Sequence, residues 1–168
     1  MSRAAAPRSP GATGTPGAVA RVRSARPEEA DLLIDFQLRL ARETEQLELD
    51  REALGRGVRA VFDDPSLGQY WVAELDGRVA GCLMVTREWS DWHNGTVLWI
   101  TSVYVLPEAR RRGVFESLYQ HLRHRVEATP GLAGIRLYAA TGNRRGRAVY
   151  RRLGMSHGHY ALYEWLKD

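Results

Sequence analysis

The chain contains a single cysteine, Cys82, among its 168 residues. One thiol cannot form a disulfide within the chain, and so low a cysteine content agrees with a reducing compartment. Long apolar runs are also missing: the sequence has neither the hydrophobic stretch of a secretory signal nor the roughly 20-residue run of a membrane helix. These absences predict a soluble, cytoplasmic protein with no membrane partner.

Charge of either sign is in only small excess, because the formal net charge is +4. Arg3 and Arg8 supply two of these charges from a stretch that has no apolar periodicity and is rich in Ala, Gly, Pro, Ser and Thr. Such a composition cannot bury enough apolar surface to fold, so it predicts a disordered tail over residues 1–18. Residues 19–168 have the length of one domain, and hydrophobic residues make up 44% of the chain, enough for a single core.

What the sequence does contain is arginine in two tight clusters. The first is Arg110–Arg112, and the second consists of Arg144, Arg145, Arg147, Arg151 and Arg152. A basic surface that grips nucleic acid is one interpretation, but no recognisable nucleic-acid motif accompanies the clusters. A local phosphate site accounts for them better, so we predict no nucleic-acid partner.

Apolar residues at helical spacing predict four helices. The first opens at residues 26–29, and the second covers residues 51–62. The third follows Arg112 and ends before Pro130, and the fourth runs from the cap Asn143 to Leu153. The apolar stripe of the third helix consists of Val114, Leu118, Leu122 and Val126.

Apolar runs bounded by turn residues predict strands over residues 19–23, 69–74, 78–86, 97–105, 135–139 and 161–166. Asp76-Gly77 and Asn94-Gly95 are typical of the turns that join antiparallel hairpins. Strand, helix and strand follow one another between residues 97 and 139, which predicts a parallel crossover. We therefore expect an α/β fold with a mixed central sheet of about six to seven strands flanked by helices.

The segment from Val103 to Tyr119 is the most informative part of the chain. An apolar strand ends at Pro107 and leads through Arg110–Arg112 and Gly113 into an amphipathic helix. The first amides of such a helix have no partners within it and point toward one region. The helix dipole disfavours cations at this end unless an anion binds there. A phosphorylated cofactor is therefore predicted, with a solvated arginine cluster on a surface turn as the alternative.

The residues Arg110-Arg111-Arg112-Gly113-Val114-Phe115 resemble the cofactor signature of the GNAT superfamily of acetyl-CoA-dependent N-acyltransferases. That signature is an Arg or Gln, two residues, a Gly, one residue, and then a Gly or Ala. The last position departs from the pattern, because the family's small residue lets the pyrophosphate approach the helix closely. The ring of Phe115 therefore has to turn away from the cofactor, while its backbone amide stays available.

A second motif strengthens the resemblance. Asn143, Ala148, Tyr150 and Leu153-Gly154-Met155 are similar to the family's helix in which an Asn lies near the cofactor arm and a Tyr near its sulfur. The likeness extends over nearly all of residues 19–165. It implies that residues 19–168 form an N-acetyltransferase domain with acetyl-CoA as co-substrate.

The resemblance also implies where the co-substrate binds. In the family, the strand before the cofactor turn splays from its parallel neighbour, and its exposed amides hold the acetyl oxygen and the pantetheine arm. Here that strand is Ser102–Leu106, with Val103, Tyr104 and Val105 as contacts. The other cofactor-binding residues that the resemblance implies are Arg110, Arg111, Arg112, Gly113, Val114, Phe115, Asn143 and Arg147.

Acetyl transfer to an amine needs an acid for the leaving thiolate and a base for the amine. The resemblance assigns the acid to Tyr150, whose phenol, with a reference pKa of about 10, stays protonated at neutral pH. Helix packing is the alternative role for this ring. The motifs do not place the base, and our candidates are Glu88 and Asp91, with surface charges on a hairpin as the alternative.

Other residues receive simpler interpretations. Glu43 and Glu45, at the end of the first helix, either line the acceptor cleft or are solvated helix charges, and the second interpretation is favoured. Cys82 lies in an apolar strand and is predicted to be a buried thiol. Histidines occur in pairs, but no third ligand of Cys or carboxylate type accompanies them, so no metal site is predicted.

Two functions from different classes fit these observations. The leading hypothesis is an N-acetyltransferase that moves an acetyl group directly from acetyl-CoA to a primary amine of a small molecule or a protein. The alternative is a non-catalytic acyl-CoA-binding module of the same fold. A homodimer through the exposed sheet edge and the C-terminal strand is a further expectation.

Overall fold

The computed structural model describes residues 20–157 and 161–167, so the predicted disordered tail over residues 1–18 lies outside the described residues. Short 3-10 turns at Pro27–Glu29 and Pro107–Ala109 precede the first and third helices. The helices and strands in chain order are β1 (Arg21–Ser24), α1 (Ala30–Glu45), α2 (Arg51–Asp63), β2 (Gln69–Leu75), β3 (Arg78–Ser90), β4 (Gly95–Val105), α3 (Val114–Ala128), β5 (Leu132–Leu137) and α4 (Arg144–Arg152).

The strands form one open sheet in the order β1-β2-β3-β4-β5. The first four strands pair antiparallel, whereas β5 runs parallel to β4 across the crossover helix α3. The predicted mixed sheet and the parallel pairing across α3 are therefore confirmed, although β5 lies at the edge of the described sheet and not at its centre. The described residues contain five strands, not the expected six to seven.

The C-terminal strand predicted over residues 161–166 is wrong. Residues 161–167 form no strand in the structure and are exposed, with Tyr163 and Trp165 at 92% and 86%. A strand exists through its pairing, and β-propensity measures the fit of side chains to a pleated, half-buried surface more than it measures a backbone preference. The pattern of this segment could therefore not establish a strand by itself. The homodimer expected through it stays a prediction.

Two boundaries differ from the sequence-based expectation because pairing with β4 sets them. β3 continues to Ser90 instead of ending at Thr86, since its ladder with β4 extends to the pair Ser90–Gly95. β5 begins at Leu132, before the expected Ile135, since it pairs with β4 from Thr96 onward. The hairpin turn at Asp76-Gly77 lies where predicted, and both residues have positive φ, as a tight two-residue hairpin turn requires. The second turn covers residues 91–94, so the predicted Asn94-Gly95 marks its end, with Gly95 already paired in β4.

Helices cover both faces of the sheet. On one face, α3 buries Val114, Leu118 and Leu122 against strand residues such as Leu83 and Ile100, which confirms the predicted apolar stripe. α3 ends at Ala128, before Pro130, as expected. Partly buried Val126 and the α4 residue Val149 extend this core cluster.

On the other face, α1 and α2 enclose a second core cluster. Leu33 and Phe36 of α1 and Val58 of α2 pack with the strand residues Cys82 and Tyr104. The Cys82 thiol is fully buried, as predicted, and burial raises its pKa to about 12. A thiol with that pKa stays protonated near neutral pH and is a poor nucleophile.

A contact between two aromatic rings lies where α3 crosses β2. The rings of His121 and Trp71 lie 4.3 Å apart, and the described residues provide no hydrogen-bond partner for the buried His121 Nε2 or Trp71 Nε1 atom. Burial is the main cause that lowers the pKa of His121, and the nearby positive charges of Arg125 and His124 add to it. Protonation of this ring is therefore less favourable in the folded protein than in the unfolded chain.

This shift predicts that stability declines in mild acid. The unfolded chain binds the proton at its ordinary pKa of about 6.5, so the free energy of unfolding decreases as the pH falls below that value and until the lower folded pKa is passed. Denaturant titrations at pH 7.5 and pH 5.5 measure the change. His121→Phe, which keeps an aromatic ring against Trp71, should reduce the difference between the two pH values. An equal pH dependence in wild type and variant would contradict the assignment to His121.

Candidate cofactor and catalytic site

The parallel strands β4 and β5 separate before β4 ends. Their pairing stops at Ile100–Leu137, and β4 continues to Val105 with no β5 partner among the described residues. An extra residue, Thr101, interrupts the register with β3 at this point, and its carbonyl accepts a hydrogen bond from the Tyr138 hydroxyl at 3.3 Å. The β4 edge next to residues 101–105 is thus open to a ligand.

The turn after β4 leads into α3 through two left-handed residues, Arg111 (φ 64°) and Gly113 (φ 76°). Gly113 is the N-cap and has no side chain that could cap the helix. The first ladder bond runs from the Ser117 amide to the Gly113 carbonyl at 2.9 Å. The amides of residues 114–116 precede it and are therefore available to an anion.

The three arginines of this turn differ in their contacts with the rest of the protein. Arg112 forms an ion pair with Asp76 at 2.9 Å, while Arg110 pairs with Glu43 and donates from Nε to the Val105 carbonyl at 3.0 Å. Arg111 is exposed. Two of the three charges that suggested an anion site therefore have carboxylate partners in the protein, although the side chains of Arg110 and Arg112 are 45% and 47% exposed.

Phe115, which departs from the family signature, points into the core. Its ring contacts Tyr150 edge-on with the ring centres 5.5 Å apart, and it lies 6.3 Å from Tyr119. The ring belongs to the cluster between the sheet, α3 and α4, so it is turned toward α4. The larger side chain at this position is thus accommodated by packing with the predicted acid.

Tyr150 lies on α4 and is half-buried. Burial raises the pKa of its phenol, so the group is protonated across the neutral range. A neutral phenol in partial contact with solvent has the protonation state that a general acid needs. The assignment of Tyr150 as the acid stays a prediction. The alternative, that the ring serves only in packing, also stays open, and Phe115 is the residue it would pack against.

Asn143 and Arg147 both support the start of α4. The Asn143 side chain accepts a hydrogen bond from the Gly146 amide at 2.9 Å, which confirms the predicted helix cap. The Arg147 guanidinium donates to the Thr141 carbonyl at 3.1 Å. Their cofactor-binding roles stay predictions, and the contacts show that each also holds the loop between β5 and α4.

The two candidate bases differ in their distance from the open edge. Glu88 pairs with Val97 in the β3–β4 ladder and forms an ion pair with Arg136 of β5. Strands rise about 3.3 Å per residue, so Val97 lies about 13 Å from Thr101. Because β3 side chains alternate between faces, Glu88 lies on the same face as Cys82, the face that α1 and α2 cover.

Asp91 lies farther away, in the turn between β3 and β4. Its carboxylate accepts a hydrogen bond from the Trp92 amide at 2.9 Å, and it is exposed. The next strand begins at Gly95, which is roughly 20 Å along β4 from Thr101. That span is longer than the roughly 13 Å for Glu88, so the geometry favours Glu88 over Asp91.

Glu43 is a site residue whose contacts the sequence did not indicate. Its carboxylate contacts Tyr104 and Arg110, residues 61 and 67 positions away in the chain. Glu43 is exposed, as the favoured interpretation of a solvated helix charge expects, but its carboxylate also has partners in the protein. No local pattern could have revealed this contact, because it depends on where α1 lies against the end of β4.

Residues 20–157 and 161–167 contain no group of three or more His, Cys, Asp or Glu residues that could hold a metal ion. In the same ranges, no helix has both the length and the apolar character needed to cross a membrane.

Known proteins resemble this chain in sequence and structure. The model of the acetyltransferase (GNAT) family matches residues 31–155, which include α1 through the end of α4. The structure of a possible acetyltransferase from Clostridium difficile 630 is 37% identical, covers 89% of this chain and 99% of its own, and has a TM-score of 0.82. No functionally curated protein matches the chain.

More distant structures share the fold. A predicted acetyltransferase from Clostridium acetobutylicum, solved with acetyl-CoA, is 21% identical over 89% of this chain and 95% of its own, with a TM-score of 0.67. An aminoglycoside acetyltransferase from an uncultured soil sample is 19% identical over 88% and 99% of the two chains, also with a TM-score of 0.67. Together with the family match over residues 31–155, the open β4 edge and the uncapped α3 turn lead to one conclusion: the chain belongs to the GNAT family of acetyltransferases.

Proposed function

We propose that this protein is an N-acetyltransferase that moves an acetyl group directly from acetyl-CoA to a primary amine of a small molecule or a protein. The observation that supports the proposal most is the position of the uncapped start of α3 immediately beyond the open edge of β4. One end of this surface offers amides to an anion, and the other offers an unpaired strand edge to an amide-containing arm. Acetyl-CoA carries both chemical groups.

The turn residues bind the phosphates in this proposal. The amides of Val114 and Phe115 face the pyrophosphate, and Arg111 adds the positive charge that Arg110 and Arg112 direct to carboxylates of the protein. The Phe115 ring packs against Tyr150 and the core, so the larger side chain at the signature's last position leaves the backbone amides open to the anion. The backbone of residues 103–105 pairs with the pantetheine arm.

The chemical step needs two proton transfers at opposite ends of the reacting group. The amine nitrogen attacks the thioester carbonyl carbon, the bond from carbon to sulfur breaks, and Tyr150 donates its phenolic proton to the departing thiolate. Glu88 accepts the proton of the amine through a chain of water molecules, with the more distant Asp91 as the alternative base. No covalent acyl-enzyme is required, which agrees with the fully buried and protonated state of Cys82.

Binding of the co-substrate tests the proposal. Calorimetric titration with acetyl-CoA should give a micromolar Kd, and Arg111→Gln should weaken it by about threefold to tenfold because an exposed charge contributes modestly. Arg112→Gln is the matched control, since its guanidinium pairs with Asp76, and its Kd should stay within about twofold. Dephospho-CoA, which lacks one phosphate, reports whether the arginine cluster contacts that group.

The outcomes separate the competing functions. Micromolar binding together with thiol release from acetyl-CoA in the presence of amines supports the transferase. Binding without thiol release across a broad panel of small amines and peptides would establish the non-catalytic acyl-CoA-binding module instead. An intact fold that binds no acetyl-CoA would contradict both functions.

A further inference from the structure

One carboxylate joins the first helix to the proposed cofactor turn. Glu43, near the end of α1, accepts a hydrogen bond from the Tyr104 hydroxyl at 2.9 Å through Oε1. Its other oxygen, Oε2, pairs with the guanidinium of Arg110. Both oxygens of the carboxylate are therefore engaged, one with β4 and one with the turn that follows β4.

Arg110 continues this connection to the backbone. Its Nε donates to the carbonyl of Val105, the last residue of β4, at 3.0 Å. Its guanidinium carbon lies 5.8 Å from the centre of the Tyr104 ring, at a distance where a cation and an aromatic face attract each other. Arg110 is thus held by three groups: the Glu43 carboxylate of α1, the Val105 carbonyl and the Tyr104 ring. They hold it where β4 leads into the turn.

Tyr104 provides a rigid base for the cluster. The residue is only 3% exposed, and its ring packs against Phe36 of α1 with the ring centres 5.2 Å apart. The hydroxyl that reaches Glu43 therefore stands on a buried ring. The cluster of Glu43, Tyr104 and Arg110 is anchored in the α1 core and ends at the turn, only a few residues before the uncapped amides of α3.

The environment of Glu43 argues against a role as the general base. Burial raises the pKa of Glu43, but the hydrogen bonds from Arg110 and Tyr104 and the positive charges of Arg110 and Arg39 outweigh burial and hold that pKa below its ordinary value. A carboxylate with a lowered pKa accepts a proton weakly. The contacts that lower the pKa also occupy both of its oxygens.

We propose that Glu43 is a positioning residue for co-substrate binding, which acts by holding Arg110 and Tyr104 so that the turn presents the amides of α3 to the pyrophosphate. The inference rests on the proposed function, because it concerns the same phosphate-binding turn. The positive φ values of Arg111 and Gly113 give the reason such support matters. A turn that contains a left-handed non-glycine residue persists only where its surroundings hold it.

The decisive variant is Glu43→Gln, which keeps the shape of the side chain and removes its charge. We expect the Kd for acetyl-CoA to weaken by about tenfold, with KM rising in parallel and kcat at saturation staying within about twofold. Glu48→Gln is the matched control: it breaks an exposed ion pair with Arg42 beside the same end of α1 and should change none of these values. The opposite result, tighter binding by Glu43→Gln, would mean that Glu43 competes with the phosphates for Arg110 and would overturn the inference.

A background variant tests the route through Arg110. The family signature admits Gln at this position, so Arg110→Gln should retain a functional turn without the ion pair. In that background Glu43→Gln should have less than a twofold effect on the Kd, because its ionic partner is gone. An undiminished effect would show that Glu43 acts independently of Arg110.

Hydrogen exchange separates this inference from the proposed function, because it needs no ligand. The hydrogen-bonded amides on either side of the turn, those of Arg110 and Ser117, should exchange several-fold faster in Glu43→Gln than in wild type, while those of β2 stay unchanged. Equal exchange in the two proteins would overturn the positioning role even if acetyl-CoA binds. Faster exchange in a protein that binds no acetyl-CoA would instead contradict the proposed function alone.

Discussion

Replacing Tyr150 with phenylalanine should lower kcat for acetyl transfer by about 100-fold, the lower end of what a positioned general acid contributes. The variant loses only the phenolic proton, so the thiolate has to leave without protonation while the ring still packs against Phe115. The affinity for acetyl-CoA should stay within about twofold. Steady-state kinetics with a responsive amine, together with the calorimetric Kd, measure both quantities.

Tyr119→Phe is the matched control for this prediction. Tyr119 also lies beside Phe115, is 7% exposed and belongs to the same core cluster, but it projects from α3 and has no proposed chemical role. Loss of the Tyr119 hydroxyl should leave kcat within about twofold of the wild-type value. Should Tyr150→Phe show an unchanged kcat, Tyr150 would be a packing residue and the acid would have to be sought elsewhere.

The second large effect is on stability. Leu118→Ala should lower the free energy of unfolding by about 2–5 kcal/mol, because it removes a fully buried side chain and leaves a cavity between α3 and the sheet. For a chain of this size, that loss corresponds to a Tm lower by roughly 10 °C. Thermal and denaturant unfolding, followed by circular dichroism, measure it.

Leu47→Ala provides the comparison, since Leu47 is 55% exposed in the segment between α1 and α2. Truncation there should change the free energy of unfolding by less than about 0.5 kcal/mol. A small effect at Leu118 would contradict the assignment of α3 to the centre of the core. An effect at Leu47 equal to that at Leu118 would show that the exposed leucine is covered in solution.

Local patterns predicted most of the secondary structure because they act over a few residues. α2 was expected over residues 51–62 and covers 51–63, and α4 begins at its predicted cap Asn143. The hairpin turn at Asp76-Gly77 also follows from nearest neighbours. In each case the residues that determine the element lie within it or beside it.

The candidate site was predicted only in part. Residues that share the cofactor turn, from Arg110 to Phe115, could be grouped by their proximity in sequence. The distance of Asp91 from the open edge, and the ion pairs of Arg110 and Arg112, depend on which strands and helices meet. Local sequence patterns contain no signal for such contacts, because the partners are far apart in the chain.

By itself, the sequence determined the class of the fold, the crossover from β4 through α3 to β5, and the turn that leads into the uncapped start of α3. It did so because hydrophobic period, turn chemistry and a short glycine motif are local properties of the chain. Only the tertiary structure decided that Glu43 holds Arg110, that Phe115 packs on Tyr150, and that residues 161–167 form no strand. Those outcomes depend on the relative placement of segments distant in sequence, where packing and ion pairing act through space.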